Sequence, residues 1–308
     1  MSLSIGIVGL PNAGKSTLFN ALVRAHQAKV ADYPFTTIEP NVGIVEVPDE
    51  RLARLGVNLK IGKTIPAPLK FIDIAGLVKG AHKGEGLGNQ FLSHIREVDA
   101  IIHILDGFSQ GANLPLRQGY GGQAEEAKEI VGVELELAGI KKPTIYVQNI
   151  SEKDILNKSE IRMTNDENTL YLSAKMEEEL IDLPQNEAQE YLKSYGLKES
   201  GLVRLIKESY KLLDLITFYT LKLAIGKQLT ANSQVQAWPI LKNTFAPRAA
   251  GCVHTDMERG FIAAEVCHYE DLIKFGGWHE AKEVGKLRTE GKDYPIQDGD
   301  VVLFKFNV

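Results

Sequence analysis

Residues 9–16 read GLPNAGKS, and they set the expectation for the whole chain. An apolar run at 3–8 precedes them, and residues 17–23 follow with helical spacing. Because Gly9 and Gly14 lack a Cβ, the backbone can curl there with several N–H groups pointing inward, at the positive end of the next helix. This order of strand, glycine loop and helix predicts a phosphate-binding P-loop rather than an ordinary glycine turn.

Two further side chains and a second motif predict nucleotide and metal chemistry. Lys15 is expected to reach the β- and γ-phosphates, and Ser16 offers its hydroxyl to Mg²⁺. The strand expected at 67–73 ends on Asp73, the first residue of a DIAG motif. In that motif the carboxylate holds Mg²⁺ through water and the N–H of Gly76 meets the γ-phosphate.

Two positions bear on how the site closes and how fast it turns over. In the segment 33–40, YPFTTIEP, two prolines favour extended backbone, and Thr37 is expected to close on Mg²⁺, with Thr36 as the alternative. Both threonines could instead begin the strand expected at 42–47. Leu77 stands where Ras-like GTPases carry a water-orienting glutamine, so slow intrinsic hydrolysis is expected.

The segment expected to meet the base departs from the guanine pattern. Residues 149–152 read NISE after the strand expected at 144–148, whereas GTPases use Asn-Lys-x-Asp. Glu152 is one methylene longer than aspartate and Ile150 replaces lysine, so the fit to guanine is impaired. Adenine becomes a candidate because its exocyclic amine is a donor where guanine has an acceptor. The backbone of residues 173–175, SAK, would lie behind the base.

Length and composition limit the class of protein. At 308 residues about two domains are expected, and 44% hydrophobic residues suffice for a core in each. No apolar run approaches the roughly 18 to 20 residues of a membrane span, and the start has no basic region or cleavage site. A cytoplasmic protein without a membrane partner is expected. Cys252 and Cys267 have no metal-ligand spacing, which predicts buried reduced thiols.

The last third predicts a small mixed sheet with one helix packed across it. Short strands are expected at 215–221, 234–239 and 301–306, around a helical pattern at 269–275 and a turn at 297–300. From residue 212 onward, 8 Lys and 3 Arg face 6 Asp and 6 Glu, and the whole chain carries a net charge of −5. Strong binding of free nucleic acid is therefore not expected.

Taken together, these motifs resemble one family. GLPNAGKST, YPFTTIEP, DIAGLVKGAHKGEGLGN, NISE and SAK are similar to the motifs of the Obg-like ATPase (YchF) family, and residues 249–256, 258–262 and 290–301 resemble its TGS domain. The resemblance implies the family's G-domain strand order, a β-grasp TGS domain, preference for ATP over GTP, dependence on Mg²⁺ and association with the ribosome. Asn12 matches an asparagine that resembles the K⁺ ligand of potassium-stimulated relatives, so K⁺ stimulation is expected.

One departure from the family concerns an insertion. The family inserts a long helical hairpin between the strand ending near Asp106 and the strand beginning near Thr144, and here only a short interval remains. Within it, 107–123 is rich in glycine and glutamine and predicts a flexible connection, followed by a helix over 124–139. The hairpin is expected to be absent or reduced to that helix.

The fold expected is α/β: a P-loop NTPase G domain over 1–211, with a mostly parallel sheet flanked by helices and a shortened insertion at about 107–141, then a β-grasp TGS domain over 212–308. The function expected is a monomeric regulatory ATPase that hydrolyses ATP slowly, GTP more weakly, and binds the ribosome through both domains. A GTP-specific translational GTPase and a nucleotide-gated scaffold are the alternatives, and a metabolic kinase is disfavoured. The catalytic residues expected are Lys15, Thr37 and Gly76, and the metal ligands are Ser16, Thr37 and Asp73. The nucleotide-binding residues expected are Asn12, Ala13, Gly14, Lys15, Ser16, Thr17, Asn149, Ile150, Glu152, Ser173, Ala174 and Lys175.

Overall fold

The computed structural model of the chain describes residues 3–26, 41–74, 87–107, 116–156, 169–222 and 233–307. No helix in these ranges has both the length and the apolar character needed to cross a membrane. Up to residue 212 the elements are β1 (Ser4–Gly9), α1 (Lys15–His26), β2 (Val42–Glu46), α2 (Glu50–Asn58), β3 (Lys63–Ile65), β4 (Pro68–Asp73), α3 (Leu87–Glu97), β5 (Ala100–Asp106), α4 (Leu116–Leu137), β6 (Thr144–Asn149), α5 (Glu152–Leu156), β7 (Thr169–Leu172), α6 (Ala174–Ile181), α7 (Gln185–Ser194) and α8 (Gly201–Leu212).

The first sheet has the strand order β2-β4-β1-β5-β6-β7. Neighbouring strands are parallel except for the edge pair of β2 and β4. Every residue of β1 is buried, whereas alternate residues of β2 are buried, because a central parallel strand is covered on both faces and an edge strand is not. Apolar residues of α1 and α8 pack on one face of this sheet, and those of α3 and α4 pack on the other. The expected α/β sheet flanked by helices is confirmed.

The helix α4 begins earlier than the sequence predicts. The connection expected at 107–123 is wrong for residues 116–123, which are helical. Glycines in a helix cost about 1 kcal/mol each relative to alanine. Farther along the helix, however, Ala124 and Ala127 pack in one buried cluster with Leu105 of β5. Once that packed part is formed, each further residue extends the helix by one hydrogen bond, so the helix propagates toward its N-terminus.

A second sheet is built from β3 and the remaining elements, which are β8 (Leu215–Lys222), β9 (Gln234–Leu241), α9 (Ala246–Val253), α10 (Thr255–Arg259), β10 (Phe261–His268), α11 (Tyr269–Phe275), α12 (Trp278–Glu283), β11 (Arg288–Glu290) and β12 (Asp300–Phe306). Its strand order is β11-β10-β12-β8-β9-β3. Helical residues cover both of its faces, with Ala249 and Ala250 on one and Leu272 and Trp278 on the other. The expected helix at 269–275 is confirmed as α11, but the expectation of a single helix is wrong, because α9, α10 and α12 lie in the same part of the chain.

A strand from the first half of the chain completes the second sheet. The strand β3 pairs in parallel with β9, with Lys63 opposite Gln234 and Ile65 opposite Gln236. Its chain neighbours are α2 and β4, and β4 belongs to the first sheet. The two sheets also share one continuous buried cluster, which contains Ile5 of β1 and Tyr219 of β8. The chain therefore passes from the first sheet to the second and back before residue 74.

A polar junction centred on Arg51 joins α2 to the second sheet. The Arg51 guanidinium pairs with Asp49 (Nε to Oδ1, 3.0 Å) and with Asp298 (Nη1 to Oδ2, 2.7 Å). Its Cζ lies 5.8 Å from the ring centroid of Tyr219 and 5.9 Å from that of Tyr269. The Tyr219 hydroxyl donates to Asp49 Oδ2 at 2.6 Å. We call these five residues the Arg51 junction.

The two cysteines differ in exposure. Cys267 of β10 is buried as expected, and burial raises the pKa of its thiol to about 11. Cys252 is exposed, so the expectation of a buried thiol is wrong there. It lies near the end of α9, whose buried residues are Ala246, Ala249 and Ala250.

Candidate nucleotide-binding site

The predicted site residues lie at one edge of the first sheet. Parallel strands present their carboxyl ends at the same edge, where ligands of open α/β sheets bind. Gly9 ends β1, Asp73 ends β4 and Asn149 ends β6, while Ser173 directly follows β7. Four segments that are far apart in the sequence therefore meet at this edge.

The loop after β1 has the conformation that its glycines and asparagine predict. Asn12 and Gly14 have φ angles of 69° and 89°, in the left-handed region that glycine and asparagine tolerate best. A Cβ at Gly14 would also collide with Nδ2 of Asn149. A Cβ on Gly9 would lie 2.9 Å from the carbonyl oxygen of Ile104 in β5. Glycine is therefore required at both positions.

Lys15 and Asp73 are paired directly. The Lys15 ammonium donates to Asp73 Oδ1, and each side chain is 14% exposed. Lys15 is the first residue of α1 and Asp73 the last of β4, so the pair joins the P-loop to the DIAG motif. The expected phosphate ligand and the expected metal ligand thus lie next to each other.

Asn149 holds three of these segments together. Its Nδ2 donates to the carbonyl oxygen of Ala13 at 3.1 Å, and its Oδ1 accepts from the N–H of Ala174 at 2.9 Å. The residue is 4% exposed, and a buried amide is stable only when both of its ends find partners. Asn149 therefore fixes the P-loop relative to the loop that follows β7.

The SAK segment forms the start of α6. Ser173 is the N-cap, and its Oγ accepts from the N–H of Met176 at 3.3 Å. Lys175, two residues after Ser173, extends toward the start of α5, where its Nζ lies 3.5 Å from Glu152 Oε1. Nζ is also 3.6 Å from Glu179 Oε1 on its own helix. The sequence predicted both Lys175 and Glu152 at the base but not their pairing.

Ile150 has a different environment from the other predicted base residues. Its side chain is 2% exposed and packs with Ile155, Met176 and Leu180 in a small apolar cluster. The lysine that GTPases carry at this position could not keep its charge in such surroundings without a partner. Its backbone N–H donates to the carbonyl oxygen of Leu172 at 2.9 Å, so Ile150 serves packing in this structure.

The remaining predicted residues divide into two groups. Ser16 and Thr17 lie in the first turn of α1, directly after the P-loop. Thr37 and Gly76, with Thr36 and Leu77, lie outside the described residues. Within the described ranges no group of three or more His, Cys, Asp or Glu side chains could hold a metal ion. Oxygen ligands from Ser16 and Asp73 nevertheless suit Mg²⁺, which binds through one or two protein groups plus phosphates.

Comparison with known proteins agrees with this arrangement. A family model described as 50S ribosome-binding GTPase matches residues 4–150, and the model YchF-GTPase_C, described as a protein of unknown function, matches residues 215–307. The ribosome-binding ATPase YchF of Bacillus subtilis (strain 168) is 40% identical, with 100% of both chains covered. The chain belongs to the YchF family. The YchF of Haemophilus influenzae is 39% identical, again over 100% of both chains.

A solved structure extends the YchF likeness to three dimensions. The YchF GTPase of Schizosaccharomyces pombe superposes with a TM-score of 0.75 at 31% identity, covering 99% of this chain and 98% of the other. The alignment with the B. subtilis YchF spans 378 positions, whereas this chain has 308 residues. That YchF therefore contains sequence that this chain lacks. Among the described residues, α4 alone forms a helix between β5 and β6.

One buried titratable group lies in the YchF sheet but away from the nucleotide edge. His103, in the middle of β5, is 2% exposed, and its Nε2 has no hydrogen-bond partner within the part of the chain that the structure describes. Burial, followed by the charge of Lys128 on α4, lowers the pKa of His103 to about 4. The ring lies 5.7 Å from that of Tyr146. His103 is therefore neutral near pH 7 and acts as a packing residue beneath α4.

Proposed function

We propose that this chain is a regulatory ATPase that binds ATP with Mg²⁺, hydrolyses it slowly and associates with the ribosome in one nucleotide state. The observation that carries the proposal is the junction made by Asn149, which joins the P-loop to the SAK segment while Glu152 stands beside that segment. The names of the bacterial relatives support ATPase activity and ribosome binding. Residues 1–211 would supply the nucleotide site and residues 212–308 a TGS domain.

The phosphates would be held by this chain's own groups in a defined order. Backbone N–H groups of the P-loop and the positive end of α1 face the anion, and Lys15 leaves Asp73 to reach the β- and γ-phosphates. Ser16, Thr37 and Asp73 would hold Mg²⁺, which would supply positive charge against the negative charge that develops on the phosphates. With leucine at position 77, no side chain there orients the attacking water, so turnover is slow without a partner.

The base would be selected by Glu152. A glutamate at this position extends one methylene farther than the aspartate that accepts two guanine hydrogen bonds, and Ile150 contributes packing rather than charge. The names of the relatives differ, since the bacterial proteins are called ATPases and the fission yeast protein a GTPase. A GTP-specific enzyme of the same fold is therefore the second candidate.

A titration with fluorescent ATP and GTP analogues in Mg²⁺ distinguishes the two candidates. We expect ATP to bind at least about tenfold more tightly, which corresponds to about 1.4 kcal/mol. Lys15→Ala should weaken the binding of both nucleotides, and Glu152→Asp should raise GTP affinity. A preference for GTP in the unchanged protein would overturn the ATP assignment. Position 150 is left as isoleucine because a lysine there would bury a charge.

The same protein can be used to measure how ATP hydrolysis depends on K⁺ and how ribosome binding depends on the bound nucleotide. If Asn12 helps to bind K⁺, ATP hydrolysis in K⁺ should exceed hydrolysis in Na⁺, and Asn12→Ala should remove the difference. Cosedimentation with ribosomes should be greater with a non-hydrolysable ATP analogue than with ADP. Equal sedimentation in both states would contradict nucleotide-controlled association.

We also propose that the protein is a cytoplasmic monomer without membrane partners. It would contact the ribosome rather than bind free nucleic acid strongly.

A further inference from the structure

The start of α6 carries a lysine whose position is fixed by its neighbours. Ser173 caps the helix, and the N–H of Ala174 is held by the buried side chain of Asn149. Lys175 follows directly, so its Cα is positioned by a buried hydrogen bond even though its side chain is 71% exposed. One helical turn later, Glu179 lies 3.6 Å from the same ammonium.

The ammonium lies next to one oxygen of the carboxylate that is expected to recognise the base. Lys175 Nζ is 3.5 Å from Glu152 Oε1, and the Glu152 side chain is 25% exposed. The charge of Glu152, ahead of that of Glu179, raises the pKa of Lys175 above its ordinary value. The lysine is therefore protonated near pH 7 and holds one of the two carboxylate oxygens.

The two purines make different demands on that carboxylate. Guanine presents two neighbouring N–H donors at N1 and N2, and a carboxylate accepts both only when both of its oxygens are available. Adenine presents a single donor, its N6 amine, beside an acceptor at N1. One free oxygen is enough for adenine, whereas guanine must share or displace the lysine.

We propose that Lys175 is a positioning residue that favours adenine, because it holds one oxygen of Glu152 and thereby lowers the affinity for guanine. This inference rests on the proposed function and adds to it the residue that enforces the choice of base. Lys175 acts through Glu152. The effect of Lys175 on guanine affinity is expected to be small, because its side chain is exposed and exposed ion pairs are weak and are screened by salt.

The test compares ATP and GTP affinities of four proteins in Mg²⁺ at low salt. Lys175→Met should raise GTP affinity relative to ATP affinity about threefold, as expected for an ion pair of this exposure. Lys175→Arg keeps the charge and should restore the original ratio. Lys153→Met is the matched control, since Lys153 is exposed and next to Glu152 in the sequence. It should leave the ratio unchanged.

The outcomes separate the two proposals. If the unchanged protein prefers ATP and Lys175→Met retains the full preference, the role of Lys175 is overturned and the proposed function stands. If the unchanged protein has no preference for ATP, both are overturned. A ratio that moves equally with Lys153→Met would show that any nearby positive charge has the same effect, which also overturns a specific role for Lys175.

Discussion

At the scale of single residues, the ion pair between Lys15 and Asp73 opposes ligand binding, because it must separate first. Each is expected to serve a different part of the ligand, since Lys15 would bind phosphate and Asp73 would hold Mg²⁺. While they neutralise each other, neither is free to do so. Binding of nucleotide and binding of metal should therefore assist one another, because each separates the same pair.

Asp73→Asn tests this coupling without any measurement of turnover. The change removes the charge that holds Lys15, so ADP in the presence of a chelator should bind about threefold to tenfold more tightly than to the unchanged protein. The gain in ADP affinity on adding Mg²⁺ should shrink, because the variant has lost a metal ligand. Calorimetric titration with and without Mg²⁺ measures both effects.

Asp182→Asn is the matched control for that titration. Asp182 pairs with Arg24 on the surface, and its side chain is 69% exposed. Its loss should change neither affinity. If metal-free ADP binds Asp73→Asn no more tightly than the unchanged protein, the pair with Lys15 does not oppose nucleotide binding.

Sequence alone placed most of these residues but not their contacts. The positions of Lys15, Asp73 and Asn149 follow from motifs at the ends of strands, because parallel strands end at a common edge. The bridge from Asn149 to Ala13 spans 136 positions, and its geometry depends on how three loops pack. The burial of Ile150 was equally hidden, since a single apolar residue after a strand has no periodicity to read.

At the scale of elements, a buried acid connects α6 to the start of α8. Glu177 is 3% exposed, and its Oε1 accepts from the N–H of Gly201 at 2.6 Å. Helix starts carry partial positive charge and unpaired N–H groups, so a carboxylate is stabilising there. Because α6 begins at the SAK segment and α8 leads into β8, this contact lies between the nucleotide edge and the second sheet.

Glu177→Ala should lower the free energy of unfolding by about 2 kcal/mol, because the N–H of Gly201 then stays buried without this acceptor. Urea unfolding measures the loss. Glu178→Ala on the same helix is the control, since that side chain is 47% exposed and 3.9 Å from Arg24. It should change stability by less than about 0.5 kcal/mol. Equal losses in the two variants would show that the contact with α8 contributes nothing of its own.

Some helices could be predicted from the sequence and others could not. The pattern at 269–275 predicted both ends of α11 correctly, because its apolar residues recur with helical spacing. The first eight residues of α4 were missed, since glycine content argues against a helix and only contacts farther along the chain favour one. Such helices depend on tertiary packing, which cannot be inferred from the local sequence.

At the scale of the whole molecule, the Arg51 junction ties α2 to the second sheet. Burial by itself raises the pKa of Asp49, but hydrogen bonds from Arg51 and Tyr219 outweigh it and leave the pKa below its ordinary value. A carboxyl with a lowered pKa in the folded state adds stability above its unfolded pKa of about 3.9. That stability is lost as the pH falls through the lowered value.

Arg51→Met should therefore destabilise the protein by about 2 kcal/mol near neutral pH, because the Asp49 carboxylate is left in a buried position without its cation. The difference from the unchanged protein should shrink as the pH falls toward about 4, where Asp49 in the variant becomes protonated. Urea unfolding at several pH values gives both quantities. Lys60→Met, two residues after the end of α2 and exposed, is the control. A difference that is independent of pH would show that Asp49 is not the group involved.

The position of β3 in the second sheet affects the order in which the two sheets can fold during synthesis. During synthesis, Lys63 leaves the ribosome long before Gln234, its partner in the finished sheet. Until β9 emerges, the short strand β3 has no neighbour, and the loop that must close to pair them is most of the chain. The first sheet can assemble from its own strands in the meantime, so the second sheet should be the last part of the molecule to become native.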